Sequence, residues 1–427
     1  MQSRLALRIL LPALAGIFLA AAALADVPVD EAHFPDGVFR AYVLEQFGTD
    51  GSGALDGDEI AGAKAIDCFG LGVSSLAGIE YLTEQETLDC QNNSLTALDL
   101  SANPALTWLN CGGNQLTALD LSANPALTWL NCGGNQLTAL DLSANPALTW
   151  LNCDGNQLTA LDLSANPALT ELLCYNNQLT ALDLSANSAL TALDCFKNQL
   201  TALNLSANPE LTKLDCDGNQ LTALDLSANP SLTELNCGGN QLTALNLSAN
   251  PALTSLSCDG NQLTALNLSA NPALTTLYCY ENSRTISVVN GQFQLSGLPL
   301  FDPARASGWQ GGAVQDGVLT VDAGAEAVTY TYDCGNGFTA DFRLVPDEIS
   351  GGYPPPPVYL PASLKRIESG AFAGAKIAAL LLPDGITAIA GDAFDPNVVL
   401  YYRPGTGAEA YCREHAETLP RCLPYEE

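Results

Sequence analysis

Residues 106–126 read LTWLNCGGNQLTALDLSANPA, and the same 21-residue phrase returns, with substitutions at a few fixed places, as far as residue 280. Its plainest marker is cysteine. Cys90, Cys111, Cys132, Cys153, Cys174, Cys195, Cys216, Cys237, Cys258 and Cys279 follow at an unbroken interval of 21, and Cys68 precedes them by 22. A fixed period of this size marks a solenoid, in which each repeat is one coil that is stable only when stacked on its neighbours. Within the phrase, apolar side chains alternate: Leu109 and Cys111 in the first half, Leu119 and Leu121 in the second. Alternation over so short a span predicts a half-buried strand in each half. Asn114 and Asn124 hold corresponding turn positions, where an amide can satisfy buried backbone groups coil after coil. Each ladder cysteine takes a slot that leucine fills in the second half, so it should point inward. Parallel neighbours stand ~4.8 Å apart, while a disulfide wants Cβ atoms about 3.8 Å apart. A column of buried thiols is therefore expected.

The phrase contains the pattern LxxLxLxxNxL twice, as LTWLNCGGNQL and LTALDLSANPAL. In this it resembles the leucine-rich-repeat superfamily over residues 62–284, and the nested half-repeat is similar to the 21-residue bacterial class called IRREKO. The resemblance implies a mainly β, right-handed solenoid. Residues 26–61 resemble an EF-hand-like helical cap. FPDGVFRAYVLEQF has helical apolar spacing, and the loop GTDGSGALDGDE follows. Aligned on Gly53, its ligand positions are Gly48, Asp50, Ser52, Ala54 (through its carbonyl), Asp56 and Glu59, a calcium-type arrangement with Glu59 as the bidentate carboxylate. Gly48 departs from the pattern, where an aspartate belongs. Ca²⁺ is the cofactor this loop would take; a cap that only shields the first coil is the plainer alternative.

After Tyr280 the period stops. Residues 285–345 alternate as strands, a small β-rich module resembling the immunoglobulin-like domain that follows the repeats in internalins. Residues 346–357 read as a proline-rich linker. Residues 358–427 contain LPASLKRIESGAFAGA and LPDGITAIAGDAFDP, which resemble BspA-like leucine-rich repeats with a terminal cap. Cys412 and Cys422 are candidates for a local disulfide there.

Composition narrows function. Acidic residues outnumber basic ones 46 to 15, for a formal net charge of −31, so nucleic acid is a disfavoured partner. Two histidines, His33 and His415, leave little for acid–base catalysis, and no catalytic site is expected. Arg4 and Arg8, the apolar run Ile9–Ala23 and the small-x-small Ala23-Leu24-Ala25 read as a signal peptide over residues 1–25, implying a secreted chain. No other stretch approaches the roughly 18 apolar residues of a membrane span.

Comparing coils within the chain separates fixed from free positions. The second half hardly changes, whereas the outward positions of the first half diverge. These hold Trp108, Trp129, Trp150, Glu171, Leu173, Tyr175, Phe196, Lys213, Tyr278 and Tyr280, the expected ligand-binding face. Aromatic residues clustered on a rigid sheet suit protein hot spots, and their ring faces suit sugars. The expected function is a secreted or surface-associated, monomeric recognition protein resembling internalins and BspA-like adhesins, binding protein. The alternative is a calcium-dependent glycan-binding or scaffold component of a bacterial envelope.

Overall fold

The computed structural model describes residues 26–349, 358–372, 377, 379–390, 393–394, 398–403, 405–415, 419 and 422–424. The expected signal peptide and most of the expected linker lie outside them.

The repeats build a parallel sheet of eleven three-residue strands in strict chain order, from Ala65–Asp67 to Thr276–Tyr278. Register follows the period: Trp108 pairs with Trp129 and Trp129 with Trp150, and the intervening leucines pair likewise. Behind the sheet, Leu109, Cys111, Leu116, Leu119, Leu121 and Leu127 of one coil are all buried and continuous with the next coil's set. Each such leucine contributes roughly 1.5–3 kcal/mol by leaving water. The molecule is mainly β.

The second half of the coil is not a strand. A strand was expected in each half, but residues 118–121 form none. The cause is local chemistry. Asp120 turns its carboxylate back to accept the Ser122 N–H at 2.9 Å, and Asn124 N–H closes a turn on Leu121 O. Coils are joined nearby by the Gln136 N–H to Leu116 O bond of 2.8 Å. The side chain competes with the sheet and wins.

At the N-terminal end, α1 (Gly37–Gln46) and α2 (Gly57–Gly62) cover the first coil. Phe34, Phe39, Val43 and Leu55 join the solenoid core. Asp36 caps α1 through the Val38 and Phe39 N–H groups and holds Ser74 with its other oxygen. Burial would raise its carboxyl, but hydrogen bonds from Phe39, Ser74 and Val38 hold it down at about 2.

Beyond the last coil stands one mixed seven-stranded sheet spanning Ser283–Ile349, instead of a two-sheet sandwich. Its final strand, Phe338–Ile349, runs into the segment expected to be linker, because residues 346–349 pair with 286–289. The module docks on the last coil: Tyr330 Oη donates to Thr264 O at 2.5 Å, and Leu268 N–H donates to Cys334 O at 2.7 Å. Further on, Val358–Tyr359, Ala379–Leu381 and Val399–Tyr402 stack in parallel, with Leu380 and Ile386 in a separate small core. Helix α3 (Gly407–Glu414) and the strand Cys422–Pro424 follow.

Candidate functional site

Each strand sends its middle residue inward and its first and third residues outward, so the outer surface is a grid of columns. The first column runs Trp108, Trp129, Trp150, Glu171, Ala192, Lys213, Glu234, Ser255, Thr276; the third-position column beside it runs Asn110, Asn131, Asn152, Leu173, Asp194, Asp215, Asn236, Ser257, Tyr278. Tyr175, Phe196 and Tyr280 lie two residues past the strands, along the sheet's edge.

The tryptophans stack on one another, with ring centroids 4.5 and 4.3 Å apart and planes within 11° and 3° of parallel. Strand spacing imposes this, because identical side chains in register sit one coil apart. Tyr175 and Phe196 stack the same way at 4.4 Å, and the Lys197 ammonium stands 5.5 Å from the Phe196 ring. The aromatic patch is therefore half-buried rather than fully exposed. Both faces of Trp129 are spent on its neighbours, which leaves ring edges outward. An aromatic edge carries the positive side of the ring quadrupole. Such a row meets acceptors well, and offers no free middle face to a sugar.

Toward the C-terminal end the face changes character. Asp194 and Asp215 lie side by side on paired strands. Burial, and then the Asp215 charge, raises the Asp194 carboxyl to about 6. Asp217 is pushed up too, by burial first and by Asp215 and Asp259 next. Lys213 Nζ meets Glu234 Oε1 at 2.9 Å. Tyr278 and Tyr280 are more than half exposed. The residues expected on this face did not include Asp194, Asp215 or Ala192, nor the exposed Phe69 and Leu71 at the first coil. The signal for Ala192 was its small size between Glu171 and Lys213.

In the cap loop, Glu59 is already engaged. Thr49 N–H and Oγ1–H donate to its Oε1 at 2.6 and 2.7 Å, and Asp56 N–H donates to Oε2 at 3.1 Å. Asp50 likewise accepts from Ser52 N–H. These donors pull the Glu59 carboxyl below its ordinary range, the Thr49 hydroxyl foremost. Gly48 supplies no side chain, and Glu59 closes the loop onto its own backbone. Among the described residues no group of three or more His, Cys, Asp or Glu side chains could hold a metal.

All fourteen cysteines are thiols, and the ladder is buried. Burial pushes the Cys111 thiol up to about 12, which makes it a poor nucleophile. Cys412 and Cys422 stand in contact, and that hydrogen bond, followed by burial, raises Cys412. The His415 ring stacks on Tyr411 at 4.1 Å.

Residues 209–250 match the family model for leucine-rich repeats, in two copies. Internalin J of Listeria monocytogenes serotype 4b (strain F2365) is 43% identical over 70 residues, which is 16% of this chain and 8% of that protein. The chain thus matches only a small part of that relative's length. Among solved structures, the functional domain of InlJ from Listeria monocytogenes, described as including a cysteine ladder, is 27% identical with a TM-score of 0.49; the match covers 76% of this chain and 99% of that one. YopM, a leucine-rich effector protein from Yersinia pestis, is 28% identical with a TM-score of 0.49, over 58% of this chain and 66% of that one. No helix among the described residues is long and apolar enough to cross a membrane.

Proposed function

We propose that this chain, an internalin-like leucine-rich-repeat protein, works as a secreted or surface-associated recognition protein that binds a protein ligand on its strand face and catalyses nothing. The observation carrying the reading is the uneven distribution of change. On one rigid frame, the second half of the coil hardly changes its outward residues, while the first half sets tryptophan, glutamate, alanine, lysine and serine in one column. A frame that holds divergent side chains at fixed spacing is a recognition surface. Protein is favoured over glycan because the stacked ring faces are closed, and a calcium-dependent mode is disfavoured by the engagement of Glu59.

The test is a screen of purified extracellular proteins and of glycans, with and without calcium, followed by rebinding of the ligand found. Replacing Trp108, Trp129 and Trp150 together by serine should abolish binding and leave the fold intact, since Thr276 and Ser255 hold that column elsewhere. Replacing Asp120, Asp141 and Asp162 by asparagine should not affect binding, because these lie on the half that hardly changes, where Asn204, Asn246 and Asn267 already stand at that position. The reverse result removes the strand face from function. Binding to glycans alone supports the envelope-scaffold alternative.

A further inference from the structure

The C-terminal part of the strand face holds a groove of about 510 Å³ lined by Glu171, Leu173, Asp194, Asp215, Glu234 and Tyr278 over a floor at Ala192. Its shape follows from the first column. Between Trp108 and Thr276, Ala192 is the smallest residue of that column, so the surface drops between Glu171 and Lys213. Charge in the groove is one-sided. Lys213 is its single cation and is already paired with Glu234. Asp215 accepts from Asp217 N–H at 3.1 Å and from Asn236 Nδ2 at 3.1 Å. Asp194 has only a long contact of 3.5 Å from Phe196 N–H. Two half-buried carboxylates in register on strands ~4.8 Å apart repel each other, and a cation placed between them would relieve that repulsion.

We infer that this groove receives an arginine side chain from an extended basic segment of a protein partner. A planar guanidinium presents several donors in a fixed fork, so it can bridge the two carboxylates, as a lysine ammonium cannot. Leu173, in register with Asp194 on the neighbouring strand, offers apolar surface to the aliphatic stem of the arginine. The chain's net charge of −31 attracts basic partners from a distance; the groove then selects among them. The inference rests on the strand-face reading above and names the partner chemistry at its acidic end.

The experiment uses the full chain and a fluorescein-labelled peptide of alternating arginine and serine, with anisotropy read at about 0.15 M ionic strength, where long-range attraction is damped. Saturable binding is expected. The double variant D194N/D215N should weaken it at least about tenfold. Asparagine already occupies that column at Asn110, Asn131, Asn152 and Asn236, so the double variant is compatible with the fold. D120N/D141N removes the same charge from the second half of the coil and should change affinity less than about twofold. A peptide with lysine for arginine should bind several-fold more weakly. No saturable binding, or equal weakening by both double variants, overturns the inference. If the peptide fails while the ligand from the screen is still lost on tryptophan replacement, only the arginine assignment falls. If that ligand also survives tryptophan replacement, the strand-face reading falls with it.

Discussion

The two halves of each coil place an asparagine at the same turn, yet the two asparagines work differently. In the first half, Asn156 donates through Nδ2 to Cys132 O, Cys153 O and Asp154 O at 3.0–3.1 Å, and its Oδ1 accepts Leu137 N–H at 2.9 Å. In the second half, Asn166 donates to Leu142 O and Asn145 O, while its Oδ1 is buried without a partner. The first half adds a backbone ladder to a full amide network. The second half has turns made by side chains, Asp162 holding Ser164 N–H at 2.9 Å. A half held by backbone can change its outward residues without losing its shape. Leu173 and Tyr278 stand where Asn131 stands, and the strand persists. A half held by Asp, Ser and Asn-Pro needs them in nearly every coil, which is why it repeats almost unchanged.

This contrast can be broken by mutation. Asn156→Ala leaves the buried Leu137 N–H without its acceptor and should cost about 3 kcal/mol, against about 2 kcal/mol for Asn166→Ala, whose two carbonyl partners keep the Asn145 and Leu148 N–H groups. Chemical denaturation of each variant checks the order, and equal losses would erase the distinction. Asp162→Leu removes the carboxylate that holds the Ser164 N–H and should cost about 1 kcal/mol, whereas Asn152→Leu, at a position where the next coil already has leucine, should stay within about 0.5 kcal/mol of the parent. Asp194→Asn has a smaller, pH-dependent effect. Its carboxyl sits at about 6 in the fold against an ordinary 3.8. The folded chain keeps this proton where the unfolded chain has lost it, so the contribution to stability falls as pH rises from 3.8 to about 6. The variant should therefore be more stable by up to about 1 kcal/mol near pH 7, after allowance for solvent screening, and unchanged below about pH 3.5. Melting curves at the two pH values decide it.

The solenoid, its register and the inward cysteines are legible in the sequence because period and alternation report burial directly, coil by coil. The missing second strand was not, since alternation at Leu119 and Leu121 looks the same whether or not neighbouring backbones pair; the decisive bond is Asp120 to Ser122, a side chain competing with a sheet. The site was half legible. Its columns follow from the repeat, but the closure of the tryptophan faces depends on ring stacking at the strand spacing. The groove at Ala192 is defined by what surrounds a small residue. In the cap loop the spacing of acidic residues suggested an ion, while the hydrogen bonds that Glu59 makes to Thr49 and Asp56 exist only in three dimensions.

Amide hydrogen exchange across the coils tests the division of labour most directly. Slow exchange is expected at the strand and ladder amides, such as Leu130, Cys132 and Leu137, with fast exchange at Ala139, Leu140 and Asp141 of the same coil. Equal protection in both halves would mean that backbone pairing holds both, and that the freedom of the strand face to vary has another cause.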